Sequence, residues 1–315
     1  MTWWILLATA GQFINAIVAF LDKYIVSDET ALPKPFVYAF YSCLLTGGWM
    51  LIYLVGFIPG MSALGVPHFS HITSPSIQVV AMSFLSAYTF FMALVSMYSA
   101  LRDAEAVNVM PVIGAVSGIS SFGMVYLFFA AAIPPNFIWG IIVLSLGTLL
   151  VAQTLPEWDS VLHVVHSGLF FALHFITMKG LFIEAESFDN GFFWSRVCFV
   201  LFALSLLLVP TYYKKIREQT GVTSKRTGML VIVAKVLAGV AAFMILKATN
   251  ADDVAAVAVV QALDGVKFVF ILLITVFFRS LLPNSAAVHV AKPSEVIHRV
   301  LYVLVIAVGY FILFS

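Results

Sequence analysis

Long apolar runs, each broken by a turn signal, recur from one end of the chain to the other. Runs of about 17–25 apolar residues are the length of a helix that crosses a bilayer. Ten such segments are predicted: 3–26, 35–58, 77–101, 104–130, 137–154, 161–183, 188–211, 229–248, 253–278 and 296–314. The connectors between them are short. The longest, 60–76, 212–228 and 279–295, are too small for a soluble catalytic domain. Trp3, Trp4, Trp139 and Trp158 fall near predicted span ends, where interfacial aromatics collect. Trp49 and Trp194 fall deeper and are expected to serve packing.

Composition strengthens the membrane reading. Of 315 residues, 62% are hydrophobic and 10% charged, against about 45–50% and about 25% in soluble domains. A net charge of +1 leaves no basic stripe for nucleic acid to follow. Cys43 and Cys198 both lie in apolar spans and are expected to be small core hydrophobes, not a disulfide or metal site. No cleavable signal is evident, since 3–26 is too long for a signal core and lacks a basic leader.

The most informative polar positions lie inside the ninth segment, which reads Gln261-Ala262-Leu263-Asp264-Gly265-Val266-Lys267-Phe268. A charge at that depth costs about 2.5–3.5 kcal/mol on insertion scales. On a regular helix Gln261 and Asp264 share a face, with Lys267 about one sixth of a turn further round. Two readings follow. Asp264 either receives a substrate cation or a proton in a cavity wall, or forms an internal i,i+3 ion pair with Lys267. Arg196 and Lys235 are also buried by position, and facing the bundle either is suited to a substrate carboxylate or to Asp264. Asn108 and Tyr88 complete the candidate substrate-binding and coupling set.

Gly114 and Gly118 form a GxxxG face continued by Ser121, which suits helix packing and a close approach of the fourth span to the ninth. Pro111 removes one intrahelical hydrogen bond, and irregular backbone at depth belongs beside a cavity. His163 and His174 lie nearly on one face with His166 roughly sixty degrees off. That spacing admits a proton or metal path, although wet or packed histidines explain it as well. His68 and His71 lack nearby carboxylates or thiols in sequence and make a weak metal motif. Lys23 and Lys179 near span ends read as snorkelling lysines, and Asp103, Asp252 and Asp253 as helix N-caps. No metal and no cofactor is expected.

A faint internal repeat relates residues 1–156 to 157–315. Lys23 matches Lys179, Cys43 matches Cys198, and Leu101-Arg102-Asp103-Ala104 parallels Leu246-Lys247-Ala248-Thr249. Five spans per half would make the halves inverted across the membrane, a plan common in secondary transporters; chance likeness of apolar segments is the alternative. Phe20-Leu21-Asp22-Lys23-Tyr24-Ile25, Ala100 through Ala106 with Pro111, Trp139-Gly140-Ile141-Ile142 through Gly147, and Ala255 through Phe278 carry a resemblance. In these stretches the chain resembles EamA-like members of the drug/metabolite transporter superfamily. The resemblance implies a ten-helix, two-repeat carrier of small organic molecules, with a central cavity near spans 3, 4, 8 and 9. One departure stands out. The family's Leu-Gly-Glu type turn after spans 4 and 9 is replaced by Phe129-Ala130-Ala131-Ala132 and Phe278-Arg279-Ser280, so no role tied to that glutamate carries over.

The expected fold class is therefore an all-α polytopic membrane protein with ten transmembrane helices as two inverted five-helix repeats. Basic residues crowd the connectors after spans 1, 3, 7 and 9: Lys34, Arg102, Lys214, Lys215, Arg217, Lys225, Arg226, Arg279 and Lys292, with Arg299 just beyond. The positive-inside rule puts these in the cytoplasm and both termini outside, whereas the family analogy puts the termini inside. The expected function is secondary transport, driven by an ion gradient or by exchange, of a small metabolite or drug-like molecule. No nucleotide-binding motif appears in the connectors. The alternative is a membrane-embedded enzyme acting on a lipid-linked substrate, for which the spans lack an Asp-x-x-Asp or His-x-x-x-His cluster. A binding protein without turnover is a third class, which the charges at depth disfavour. Expected partners are the small-molecule substrate, the lipid bilayer and protons, with no nucleic acid, in a monomer or homodimer. A prokaryotic inner membrane is the expected location.

Overall fold

A computed structural model describes residues 3–27, 34–61, 65–130, 134–150, 158–251, 254–278 and 293–313. Of these, 275–278, 293–297, 299 and 300 are described by their backbone only. Every regular element among them is a helix: α1 (Trp3–Ser27), α2 (Pro35–Gly47), α3 (Ile52–Val55), α4 (Ile77–Asp103), α5 (Ala106–Phe129), α6 (Pro135–Leu149) and α7 (Trp158–Glu184). There follow α8 (Phe188–Leu206), α9 (Pro210–Val222), α10 (Lys225–Thr249), α11 (Ala256–Ala262), α12 (Lys267–Phe278) and α13 (Pro293–Ile312). A 3-10 turn, Gly48–Leu51, joins α2 to α3, and another, Leu263–Val266, joins α11 to α12.

The starts of these helices follow from local chemistry. Ser76, Ser187 and Ser224 each accept the backbone N–H of the third residue onward at 3.1 Å, capping α4, α8 and α10. Pro35, Pro135 and Pro210 open α2, α6 and α9, where a missing N–H costs nothing. Asp103 is not a cap. It closes α4 and pairs with Arg102 at 3.1 Å in the open. Asp252, Asp253, Arg279 and Lys292 lie outside the described residues, as does the side chain of Arg299.

Seven helical stretches among the described residues are long and apolar enough to cross a membrane, and an eighth if the bent pair α8–α9 counts as one. The chain is thus an all-α, multi-pass membrane protein. Two predicted spans fall short in the described residues: α6, with 15 residues, and the apolar part of α13, Leu301–Ile312. At 1.5 Å per residue, 15 residues reach about 22 Å, less than a hydrocarbon core of about 30 Å. The two lie against each other through glycines. A methyl group on Gly309 would stand 2.6 Å from the Leu144 nitrogen, and one on Gly147 2.9 Å from Ile306. Cys43 and Cys198 are free and buried in the core, as expected.

The tryptophans divide. Trp3, Trp139 and Trp158 are exposed. Trp4 is not an interfacial residue but a buried one, edge-on to Phe137 at 5.9 Å, because it turns toward α6 while Trp3 turns out. Trp49 fills the space over Gly239, where any side chain on α10 would collide with its indole. Trp194 does more than pack: its indole N–H donates to Thr73 O at 2.9 Å, tying the connector between α3 and α4 to α8.

Candidate functional site: a cavity between two buried ion pairs

Helix α1 turns Gln12, Asn15, Val18 and Asp22 onto one face, since offsets of three, six and ten residues fall within about a third of a turn. This face borders a central cavity of about 120 Å³. By the same measure a single water needs about 10–15 Å³, so the space holds several waters or a small molecule. Helix α2 contributes Ser42 and Thr46; α4 contributes Phe90, Met97 and Tyr98; α5 contributes Met110, Ile113 and Ser117. Opposite them stand Phe171 and Phe175 of α7, Lys235 of α10, and Gln261, Asp264 and Lys267 where α11 meets α12. Aromatic, aliphatic and thioether groups make up most of the wall, and the polar groups gather at two places.

At the first, Lys235 Nζ donates to Asp22 Oδ1 at 2.8 Å and to the Tyr98 hydroxyl at 2.8 Å. Tyr38 donates its hydroxyl to the same Asp22 oxygen. Tyr98 lies 3.0 Å from Ser42 Oγ, which donates to Tyr38 O at 2.8 Å. Both ions of this pair are almost wholly inaccessible. The Lys235 ammonium also sits 4.4 Å from the Tyr38 ring centre, so one cation is met by a carboxylate, a hydroxyl and an aromatic face. Such a network is fully satisfied, which is the condition for buried charge to be tolerated.

At the second, Lys267 Nζ meets Asp264 Oδ1 at 2.6 Å. The i,i+3 ion pair and the cavity wall are the same feature, because both residues border the void while bonded to each other. Asp264 lies within the 3-10 turn and Lys267 just after it, so the helix is irregular where it borders the cavity. Irregular backbone at membrane depth is tolerated beside a cavity. It occurs here, in place of the expected site at Pro111, although Met110 and Ile113 beside Pro111 do reach the wall. Gln261 accepts from Ser117 Oγ at 2.8 Å. The small face of α5 makes this contact possible. A methyl group on Gly114 would stand 2.7 Å from Asp264 Cβ, and one on Gly118 2.8 Å from Ala262 Cα.

Of the residues anticipated from sequence, Asp264, Lys267, Gln261 and Lys235 thus come together around one void. Asn108, Arg196 and Tyr88 do not. Asn108 lies in the first turns of α5, before the helix reaches the cavity at Met110. Tyr88 is 45% exposed and points outward between Phe170 and Phe202. Arg196 is buried on the far side of α2, its guanidinium 4.6 Å from the Phe192 and Phe199 ring centres and its Nε 3.2 Å from Ser195 Oγ. It neither snorkels nor pairs with Asp264, because its helix, α8, packs behind α2 and α4 and does not border the cavity.

The histidines of α7 form no continuous path. His163 is exposed and bonds Asp159 O at 2.7 Å, His166 is exposed against Phe170, and His174 is buried against Ser86 Oγ at 2.9 Å. His71 finds a carboxylate in the fold, Asp189 Oδ2 at 2.6 Å, that its sequence neighbourhood lacked. Among the described residues, no three His, Cys, Asp or Glu side chains converge as metal ligands. Neither of the end-of-span lysines snorkels. Lys23 Nζ donates to Leu101 O at 2.7 Å at the end of α4, and Lys179 Nζ to Ala251 O at 2.5 Å just beyond α10. Lys23 thus satisfies a carbonyl that the end of α4 leaves open, and Lys179 one in the chain that follows α10.

The partner that sequence reasoning missed is Asp22, together with Gln12 and Asn15 on its face. The signal was available: polar residues at helical spacing inside an otherwise apolar span mark a cavity-facing stripe.

Fold and site together define a multi-pass helical membrane protein with an internal, mostly apolar cavity that carries two ion pairs on its wall. No protein-family model matches the chain, and no curated protein sequence matches it. Among 26 solved chains similar in structure is one described as "Crystal structure of protein". It is 14% identical with a TM-score of 0.59, over 97% of this chain and 96% of that one. That likeness shows the fold alone.

Proposed function

We propose that the protein is a secondary transporter of a small organic metabolite or drug-like molecule, built as ten spans in two inverted five-helix repeats of the EamA-like drug/metabolite transporter type. The observation that carries this reading is the central cavity with two ion pairs on its wall, Asp22 with Lys235 and Asp264 with Lys267. Charges at this depth are expensive and belong to ligand or ion pathways. The Asp22–Lys235 pair joins the first half of the chain to the second, as a site at a repeat interface would.

The repeat is supported by two lysine contacts. Lys23 and Lys179, matched in the two halves, each reach from late in one helix to a backbone carbonyl at or just past the end of another, in the last turn of α4 in one case and just after α10 in the other. In this reading α6 and α13 form the remaining pair of spans, and transport proceeds by alternating access with ion coupling or exchange. A prokaryotic inner membrane is the proposed location, and the small substrate, protons and lipid are the proposed partners.

The test is flux into proteoliposomes with an imposed pH gradient, using a substrate found by thermal-shift screening of amino acids, sugars, nucleosides and cationic drugs. Saturable uptake lost on Asp264→Asn is expected. A correctly folded protein with no ligand shift and no uptake of any panel member would overturn the assignment.

A further inference from the structure

Helix α8 ends in a face of exposed leucines, Leu201, Leu204 and, just after it, Leu208, as a span turned toward lipid would. At Pro210 the chain then bends by 96° into α9. A helix leaving a membrane span at a right angle runs along the membrane surface, and the composition of α9 suits that plane. Ile216 and Gln219 face the protein, and the Tyr212 ring packs tilted against Phe36, 4.9 Å between centres. Lys214, Lys215 and Arg217 are exposed, with Lys225 and Arg226 in the next turn of chain. The acid among the exposed α9 residues, Glu218, is taken by Lys214 at 3.9 Å. Arg217 forms no ion pair with any described carboxylate.

Arg217 borders a groove between α9 and α2. Phe40, Leu207 and Ile216 make its floor, and Tyr213, Arg217 and Thr220 its polar rim, with Thr220 Oγ1 bonded to the Tyr41 hydroxyl at 2.5 Å. An apolar floor continuous with lipid-facing leucines, under a cationic rim at the surface plane, matches one kind of molecule in both its parts. We propose that this groove binds an anionic phospholipid of the adjoining leaflet, with the phosphate on Arg217 and Tyr213 and an acyl chain along Phe40 and Leu207. The charge bias of the connectors puts this end of the protein in the cytoplasm, against the termini-inside orientation that the resemblance implies, and the cytoplasmic leaflet carries the anionic lipids. A soluble phosphate would use the rim and leave the floor uncovered; a zwitterionic lipid would bring its own cation against Arg217. The site is independent of the transported substrate.

Native mass spectrometry of the full chain, equilibrated with equal amounts of phosphatidylglycerol and phosphatidylcholine, tests it. Retention of phosphatidylglycerol over phosphatidylcholine is expected, falling about fivefold in Arg217→Gln, the loss typical of one basic residue at an anionic surface. Arg217→Lys keeps the charge and is expected to keep the preference, which separates charge from any effect on folding. Equal retention of both lipids by the unmodified protein, or an unchanged preference in a well-folded Arg217→Gln, would overturn the proposal. So would full displacement of phosphatidylglycerol by an equal concentration of soluble glycerol phosphate, since that assigns the rim to free anions.

Discussion

Lys235 Nζ stands 2.8 Å from Asp22 Oδ1, a pair closed across 213 residues and joining α10 to α1. Both ions are almost wholly inaccessible, so each depends chiefly on the other, with the Tyr98 and Tyr38 hydroxyls completing the network. Removing one partner of a buried pair typically costs about 3–5 kcal/mol, whereas removing both leaves no stranded charge. Asp22→Asn and Lys235→Met are each expected to lower the apparent melting temperature in detergent sharply. The double variant should recover much of that loss, a coupling that a double-mutant cycle reads directly. Strictly additive losses would mean that the two side chains do not meet.

The second pair predicts a different outcome. Asp264 is partly accessible from the cavity and lies in a 3-10 turn, so replacing it disturbs packing less. Asp264→Asn is expected to abolish uptake while leaving the folded yield by size-exclusion chromatography nearly unchanged. Tyr88→Ala, on the outer surface between Phe170 and Phe202, should leave uptake intact. Normal uptake by Asp264→Asn would take the carboxylate out of the mechanism.

Close approach of α5 to the 3-10 turn between α11 and α12 depends on a missing side chain. A methyl group at Gly114 would lie 2.7 Å from Asp264 Cβ and 2.8 Å from the Gly265 nitrogen, contacts that neighbours cannot absorb without moving the helices apart. Gly114→Ala is expected to destabilise the protein by about 1–3 kcal/mol, the usual range for overpacking. Gly123, which has open space around it, is the control: Gly123→Ala should be neutral or slightly stabilising in the same thermal assay.

At the end of α7, Glu186 is exposed and adopts φ 57°, the left-handed region that a side chain disfavours by about 1–2 kcal/mol. Part of that penalty returns as the greater freedom of glycine in the unfolded chain. Glu186→Gly is expected to stabilise the folded protein by up to about 1 kcal/mol, seen as a higher melting temperature with unchanged flux. A lower melting temperature would indicate that Glu186 makes a contact worth more than the strain.

Some of this was legible in the residues and some was not. The apolar runs placed the helices because burying a backbone in lipid leaves a helix as the local solution, and that depends on neighbouring residues alone. The same locality made Asp264 and Lys267 readable as a pair, since three residues on one helix bring them together wherever the helix goes. The GxxxG face of α5 was legible as a packing surface for a similar reason. Arg196 and Tyr88 were misplaced because helical spacing ranks residues by depth along a span and says nothing of which way the span is rotated. Arg196 points between two phenylalanines behind α2, and Tyr88 points outward.

The sequence by itself determined that the chain is a bundle of membrane helices with charges at depth, because hydropathy and short-range spacing are properties of consecutive residues. Only the tertiary structure decided that Asp22 answers Lys235, that Lys23 and Lys179 bond carbonyls at or just past the ends of distant helices, and that one void gathers both ion pairs. Those outcomes depend on the rotation and crossing of helices far apart in the chain. Side-chain size at a few contacts, such as Gly114 against Asp264, sets that geometry, and no local pattern encodes it.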